Sequence, residues 1–501
     1  MSENQRHVVV AGAGPSGLAA AYELCKLEVP VEVFEKDHLV GGLARTIERN
    51  GNRFDMGGHR FFTKSREVQT IWKEVLGDEF LRRPRLSRIY YEGKYFQYPL
   101  VAWNALTRLG IYEAIRVGLS YIKWQVRPHT VEETFEHWVT NRFGRRLFLH
   151  FFRAYTEKVW GVPCSELKAE WAAQRIKDLS LRSAVMSMLF RPRETIKTLI
   201  EEFDYPRLGP GMMWEKVTEL VRRRGGDVCL NASVVRFERE DMRITAAVVE
   251  RDGVEHRAEG TDFVSSMPIT HLARSLDPPA PPEVLEAASK LTYRSFLTVC
   301  LIVDAPDLFP DNWIYVHEPD VLVGRIQNYK NWSADMVANS STTGIGMEYF
   351  CDEGDELWNT SDEDLIEMGK RELATIGLAP PAPILDAGVY RMPSAYPVYD
   401  QAYADYLQTI KDFLAGFENL QTIGRNGLHR YDNQDHAMMT GIMAARNIAL
   451  GQSNDVWSVN TDTDYHEEIL EEVTVLRTPE MKAAAVQEPA YTAQGAVARE
   501  T

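Results

Sequence analysis

The feature that most limits what this chain can fold into is Gly12-Ala13-Gly14-Pro15-Ser16-Gly17, a GxGxxG run set between valine-rich residues 7–12 and alanine-rich residues 18–26. Successive valines read as a strand buried on both faces, the residues after Pro15 as a helix, and 29–35 as a second apolar strand ending on an acid. A strand, a glycine turn, a helix and a second strand make a βαβ unit. Alone, the glycine pattern would mark only a turn. In this setting Gly12 permits the tight turn, Gly14 lets a pyrophosphate approach the backbone, and Gly17 lets helix and strand pack closely. The helix N-terminus favours phosphate, and Glu35 is placed to accept hydrogen bonds from ribose hydroxyls. A dinucleotide is the expected ligand of this end of the chain.

Size and charge bound the rest. A chain of 501 residues exceeds one ordinary core, and at roughly 150 residues per domain about two or three substructures are expected. Lysine and arginine number 56 against 72 acids, a formal net charge of −16. Nucleic acid and anionic membranes demand basic surface, so neither is an expected partner; a few buried arginines could still hold an anionic ligand. Cys25, Cys164, Cys229, Cys300 and Cys351 form no CxxC pair and no metal-like cluster. They read as reduced thiols of a cytoplasmic protein without a metal site. The run Val8–Ala11 leads straight into the glycine motif, so no signal peptide is expected. Nor does any stretch approach about 18 uninterrupted apolar residues, so no transmembrane helix is expected.

Downstream, residues 55–62 are glycine-rich and loop-like. Residues 103–203 read as helical, including 111–126, 131–143, 147–159 and 186–203, and 210–224 reads as a further amphipathic helix. Strands are expected at 227–238, 244–250, 262–266, 295–303 and 313–327, a helix at 404–417, a short strand at 420–424 and a helix at 436–451. Residues 481–501 are alanine-rich without periodicity and read as a disordered tail.

Beyond Glu35-Lys36-Asp37 comes Val40-Gly41-Gly42-Leu43-Ala44-Arg45-Thr46, which resembles the second glycine motif of the amine-oxidase-like FAD superfamily. Phe54-Asp55-Met56-Gly57-Gly58-His59 resembles that superfamily's loop beside the isoalloxazine, and 420–425 with 436–445 resembles its closing strand and helix. The cofactor set implied is Gly12, Gly14, Pro15, Ser16, Gly17, Glu35, Lys36, Gly42, Leu43, Ala44, Gly57, Gly58, His59, Val234, Gly424, Arg425, Asn433, Gln434 and Asp435. Within the superfamily, residues 6–450 are similar to the UDP-galactopyranose mutases, nearer the eukaryotic type. The residues that carry this likeness are Gly57-Gly58-His59-Arg60-Phe61-Phe62, Lys158-Val159-Trp160-Gly161-Val162-Pro163 with Trp171 and Arg175, Gly209-Pro210-Gly211-Met212-Met213-Trp214, Gly324-Arg325-Ile326-Gln327-Asn328-Tyr329, Tyr396-Pro397 and Tyr431-Asp432-Asn433-Gln434-Asp435-His436.

The resemblance implies an α/β fold: a discontinuous Rossmann-like FAD-binding domain (1–98, 205–290 and 400–455), an inserted helical domain (99–204), an inserted antiparallel β-sheet domain (291–399) and a C-terminal extension (456–501). It also implies a redox-neutral isomerase that interconverts pyranose and furanose forms of a nucleotide sugar, with reduced FAD supplying the nucleophile through N5. Arg175 and Arg325 would clamp the diphosphate, which guanidinium groups suit, and His59 would border the flavin. Tyr98, Tyr155, Trp160, Asn328, Tyr329, Tyr396, Tyr431 and Asn433 would line the substrate pocket. At two further pocket positions the chain departs from its relatives: Val101 replaces an amide that contacts uracil, and Thr156 an asparagine at the nucleoside end. Valine can neither donate nor accept, so a base other than uracil is expected. NAD(P)H is a candidate reductant, and a homo-oligomer is compatible with the resemblance. The rival reading is an FAD-dependent oxidoreductase of the amine oxidase, desaturase or protoporphyrinogen oxidase type, which shares the FAD motifs but needs no diphosphate clamp.

Overall fold

Segments far apart in sequence build one parallel sheet. The computed structural model describes residues 6–98, 100, 102–169, 202–379 and 382–460. Strand β1 (Val8–Ala11) lies at the centre, flanked by β2 (Val31–Phe34) and by Asp262–Ser265. The order across the sheet is Leu420–Thr422, Asp262–Ser265, β1, β2 and Asp227–Cys229, all parallel. All four residues of β1 are buried, as an unalternating apolar strand must be when both faces are covered. Each fully buried valine contributes about 1.5–3 kcal/mol. Helix α1 (Pro15–Lys26) covers one face, with the long helix Gln434–Leu450 packed against it. Their approach is so close that a Cβ on Gly441 would fall 2.1 Å from the Ser16 carbonyl oxygen.

A second, seven-stranded sheet runs in the order Ile384–Pro397, Tyr293–Val303, Thr343–Cys351, Arg325–Asn328, Trp313–Val316, Ser87–Tyr91 and Lys94–Gln97. It is antiparallel except where Trp313–Val316 meets Ser87–Tyr91. A four-stranded sheet (Val254–Glu259, Arg243–Arg251, Ser233–Glu240, Leu276–Asp277) adjoins the parallel sheet. The helical layer comprises Ala102–Leu109, Ile111–Val126, Phe135–Phe143, Arg145–Phe148 and Ala154–Trp160, the last two joined through a π-helical turn, Leu149–Arg153. Its apolar side and one face of the seven-stranded sheet share a core that contains Phe148, Phe151, Trp160 and Phe296. This is a mixed α/β fold.

Several expectations shift. Strands Ser87–Tyr91 and Lys94–Gln97, placed by the sequence with the nucleotide-binding unit, extend the seven-stranded sheet instead. The single strand expected at 313–327 is a hairpin of two, Trp313–Val316 and Arg325–Asn328. The helix expected from 131 starts only at Phe135, where Thr134 caps it through the His137 N–H. Glu202 and Phe203, expected to end a helix, form a strand that pairs with Phe80–Pro84. The remainder of that helix, the tail at 481–501, and Arg175, Trp171 and Val101 lie outside the described residues.

Candidate active site

Three glycine-bearing segments meet at the C-terminal end of β1. Gly12 turns with φ +102°, and a Cβ on Gly17 would sit 1.9 Å from the Gly12 carbonyl oxygen, so helix α1 can start against the turn only as glycine. The Gly41 N–H donates to the Ala13 carbonyl at 2.8 Å, and Gly42, with φ +54°, brings a bare backbone against Gly14. Gly424 packs on Ser16 from the other side, its N–H donating to Thr440 Oγ1 at 2.9 Å. Leu43 and Ala44 form the short 3-10 turn after Gly42, and Pro15 opens α1. Arg45 fixes that turn through Gly42 O and an ion pair with Asp37.

At the end of β2, buried Glu35 accepts from the Ala13 N–H (2.8 Å) and the Asp37 N–H (3.0 Å). Alongside, the Ala232 N–H donates to Glu35 O, which brings the strand bearing buried Val234 next to the acid; Lys36 is exposed. At the start of the helix Gln434–Leu450, Asn433 is the N-cap, Gln434 accepts from the Trp214 indole (3.1 Å), and Asp435 is buried with Oδ1 unpartnered among the described residues. Burial pushes the Asp435 carboxyl up to about 7, against hydrogen bonds from His436 and Thr63. A backbone cradle that a Cβ would fill, two helix N-termini and an orphaned carboxylate oxygen fit a pyrophosphate and a hydroxyl-rich chain, as FAD has.

The loop Gly57–His59 leads from this cradle to a cluster of arginines and aromatic rings. His59 Nε2 lies 2.8 Å from Met56 O. Burial first, with Arg425 and Arg325 adding to it, lowers the imidazole to about 4, so it is neutral at pH 7. Beside it, Arg325 donates to Tyr396 Oη at 2.8 Å and pairs with fully buried Glu348 at 2.6 Å. Burial works most strongly against the guanidinium charge, but Glu348 together with Tyr396, Tyr155 and Tyr431 outweighs it and holds Arg325 well above the usual range. The Arg325 Nε atom is buried and without a partner among the described residues. Tyr396 and Tyr431 stack at 5.6 Å, Arg425 lies over Tyr431 at 4.6 Å, and Trp160 packs against both tyrosines. Further out, Tyr155 stacks on His317 (4.8 Å) and meets Tyr315 edge-on. Tyr98 lies 4.5 Å from Tyr315, and Arg85 over both Tyr98 and Trp313. A small cavity of about 50 Å³ runs between Gly58, Arg60, Trp313, Tyr315, Arg325 and Gln327.

Two expected substrate contacts point elsewhere. Asn328 is buried, and its amide donates to Phe309 O on the face of its strand opposite Arg325 and Gln327. Tyr329 is also buried, its hydroxyl donating to Asp55 O at 2.7 Å and its ring packed edge-on against Phe54. Thr156 is 5% exposed, on the helix Ala154–Trp160.

Several residues of the cluster, Glu348, Tyr315 and His317 among them, lie outside the motifs that stand out in the sequence. Glu348 is the buried partner of Arg325 and accepts from Gln327 Nε2 at 2.8 Å. A lone acid in an apolar strand, Thr343–Cys351, is the signal that could have revealed it. Lys158, by contrast, belongs to the most family-like block, and its place has a physical reason. It donates to Val316 O, Glu318 O and Val323 O (3.3, 3.0 and 3.0 Å), pinning the hairpin that carries Tyr315, His317 and Arg325. Burial lowers its ammonium to about 8.

A family model described as flavin containing amine oxidoreductase matches residues 15–449. The L-amino-acid oxidase of Sistrurus catenatus edwardsii is 23% identical over 322 residues, which is 59% of this chain and 57% of that protein, so the chain spans less than two thirds of that relative's length. The coproporphyrinogen III oxidase of Mycobacterium leprae (strain TN) is 23% identical over 421 residues, 81% of this chain and 91% of that protein. Among solved structures, reduced UDP-galactopyranose mutase superposes with a TM-score of 0.80 over 93% of this chain and 100% of its own, at 21% identity, a likeness of fold.

Proposed function

The chain belongs to the family of flavin-containing amine oxidoreductases, and we propose that within it this protein is a redox-neutral mutase that interconverts the pyranose and furanose forms of a nucleotide sugar. The observation that carries the reading is Arg325: a half-buried side chain whose buried Nε has no partner among the described residues, in contact with a tyrosine hydroxyl and near a bank of aromatic rings. A polyene has no use for such a group, whereas a porphyrinogen or an amino acid would offer it only a carboxylate. A diphosphate accepts from it, while its base packs on a ring such as Tyr98 or Tyr315.

Bound and reduced, FAD supplies the nucleophile for the anomeric carbon through N5. The chain's own residues do the positioning. Arg325 holds the departing diphosphate close enough to return. Tyr396 and Tyr431 wall the pocket, with Arg425 orienting Tyr431. His59, neutral at pH 7, borders the flavin without adding charge. Arg175 is proposed as a second clamp. Val101 and Thr156 favour a base other than uracil.

One rival has a specific observation in its favour. Glu348 already neutralises Arg325, so the guanidinium has a counter-ion without any diphosphate, and the oxidase reading draws on that pair. Titration of the reduced protein with UDP, dTDP and GDP separates the two. The mutase reading expects at least one diphosphate to bind, with UDP not the tightest by tenfold or more. Binding of none of them, together with flavin reduction by an amino acid or a porphyrinogen, would install the oxidase.

A further inference from the structure

The helix Ile111–Val126 turns an apolar stripe outward. Ile111, Ile115, Leu119, Ile122 and Val126 recur at steps of three and four and so share one face. They are 81, 56, 63, 59 and 73% exposed, and Tyr112 at the first turn is 72% exposed. Val117 is the buried residue of this helix, so it touches the body of the protein along a narrow line. Apolar residues scattered over a surface need no explanation, but a continuous stripe marks an interaction site.

The same surface is basic. Arg108, Arg116, Lys123 and Arg127 are all exposed, and Glu113 is the one acid between residues 102 and 131. Glu113 is engaged by Arg146 and His150 and lies 3.6 Å from Arg116. A local excess of cations on a chain of net charge −16 runs against the average of the molecule. That contrast decides between coverings. A second copy laid on the stripe by two-fold symmetry would set two basic strips face to face, with Glu113, already engaged by Arg146 and His150, the one acid between residues 102 and 131 to meet them. An anionic lipid surface satisfies both features, because the aliphatic side chains enter the headgroup boundary while the cations meet lipid phosphates.

We propose that the helix Ile111–Val126 docks this protein peripherally onto anionic lipid bilayers. It lies in the surface and does not cross; among the described residues no helix is long and apolar enough to do so. Docking through this one strip orients the molecule, since the acidic remainder is repelled. The inference stands apart from the reaction proposed above and survives if that reaction is wrong.

The test is sedimentation of the full-length, FAD-loaded protein with vesicles of phosphatidylcholine alone or mixed with phosphatidylglycerol, at low and high salt. Binding to the mixed vesicles is expected, at least about tenfold stronger than to the neutral ones and weakened by salt. The double variant Leu119→Gln/Ile122→Gln should lose at least about tenfold in binding, while keeping its flavin content and melting temperature. Lys123→Glu/Arg127→Glu should lose the preference for phosphatidylglycerol, since each basic residue near an anionic surface is worth roughly fivefold. Three results overturn the proposal: wild-type protein that ignores the mixed vesicles, double variants that bind as the wild type does, or a concentration-dependent dimer that Leu119→Gln/Ile122→Gln dissociates in the absence of vesicle binding. The last would assign the stripe to a second copy.

Discussion

Arg325 and Glu348 make opposite demands on a ligand, and variants of the two separate them. Arg325→Ala should weaken nucleoside diphosphate binding by about 2–5 kcal/mol, the usual cost of removing one partner from a desolvated charge contact, with FAD retained. Glu348→Gln should lower the melting temperature, because it leaves a buried guanidinium uncompensated, yet bind the diphosphate at least as tightly as the wild type. Calorimetric titration and thermal unfolding read both; diphosphate binding that falls in the Glu348 variant would mean that the ion pair, rather than the arginine, forms the site. His317 supplies a pH test. Burial, then Lys158, lowers its imidazole to about 3, below the ordinary value of about 6.5. As pH falls through 6.5 the unfolded chain takes up the proton first, so this residue removes stability between about pH 6.5 and 3 and has no effect above 6.5. His317→Phe should therefore flatten the decline of unfolding free energy with falling pH by up to about 1.4 kcal/mol per unit in that window. An unchanged slope in denaturant titrations would show that the ring is solvated.

At the scale of elements, the readable parts were those with a period and a stop signal. The first βαβ unit has both, and its turn leaves little freedom. Gly17→Ala should yield protein that no longer retains FAD on gel filtration, because the new Cβ collides with the Gly12 carbonyl. Retention of a full complement of FAD would show that the turn can open. The hairpin Trp313–Val316 and Arg325–Asn328 was harder. The single strand expected at 313–327 passes over the turn between the two, and within the second strand Arg325 and Asn328 are three positions apart, an odd step that sends them to opposite faces. Arg325 therefore reaches the cluster and Asn328 does not, while Tyr329 lies past the end of the strand, in the short helix Tyr329–Trp332, and turns its hydroxyl to Asp55 O. Lys158 holds this hairpin from the helix side. Lys158→Met, which keeps the length and loses the three donors, should destabilise the protein by about 2 kcal/mol and weaken ligand binding with it. Thermal unfolding and diphosphate titration check this; a melting temperature equal to that of the wild type would remove the fastener from the account.

Across the whole molecule, the discontinuity of the parallel sheet was legible because glycine motifs stand near both ends of the chain. The pairing of Ser87–Tyr91 with Trp313–Val316 was not, since a contact between residues more than 200 apart leaves no local trace in one sequence. Nor did the total charge foretell the basic strip on Ile111–Val126, because a sum conceals its distribution. Glu348 stayed hidden for a related reason: its meaning lies in a partner on the neighbouring strand. Isomerisation of a nucleotide sugar without net oxidation is the activity we propose for this protein. The measurement that reaches it most directly is anaerobic incubation of the dithionite-reduced enzyme with a panel of nucleotide sugars, following product by chromatography and the flavin by absorbance. One sugar should be converted to its ring isomer while the flavin remains reduced, and the oxidised enzyme should convert none. Failure of every nucleotide sugar to isomerise, with stoichiometric reduction of the oxidised flavin by an amine, amino acid or porphyrinogen and steady turnover in air, would contradict it.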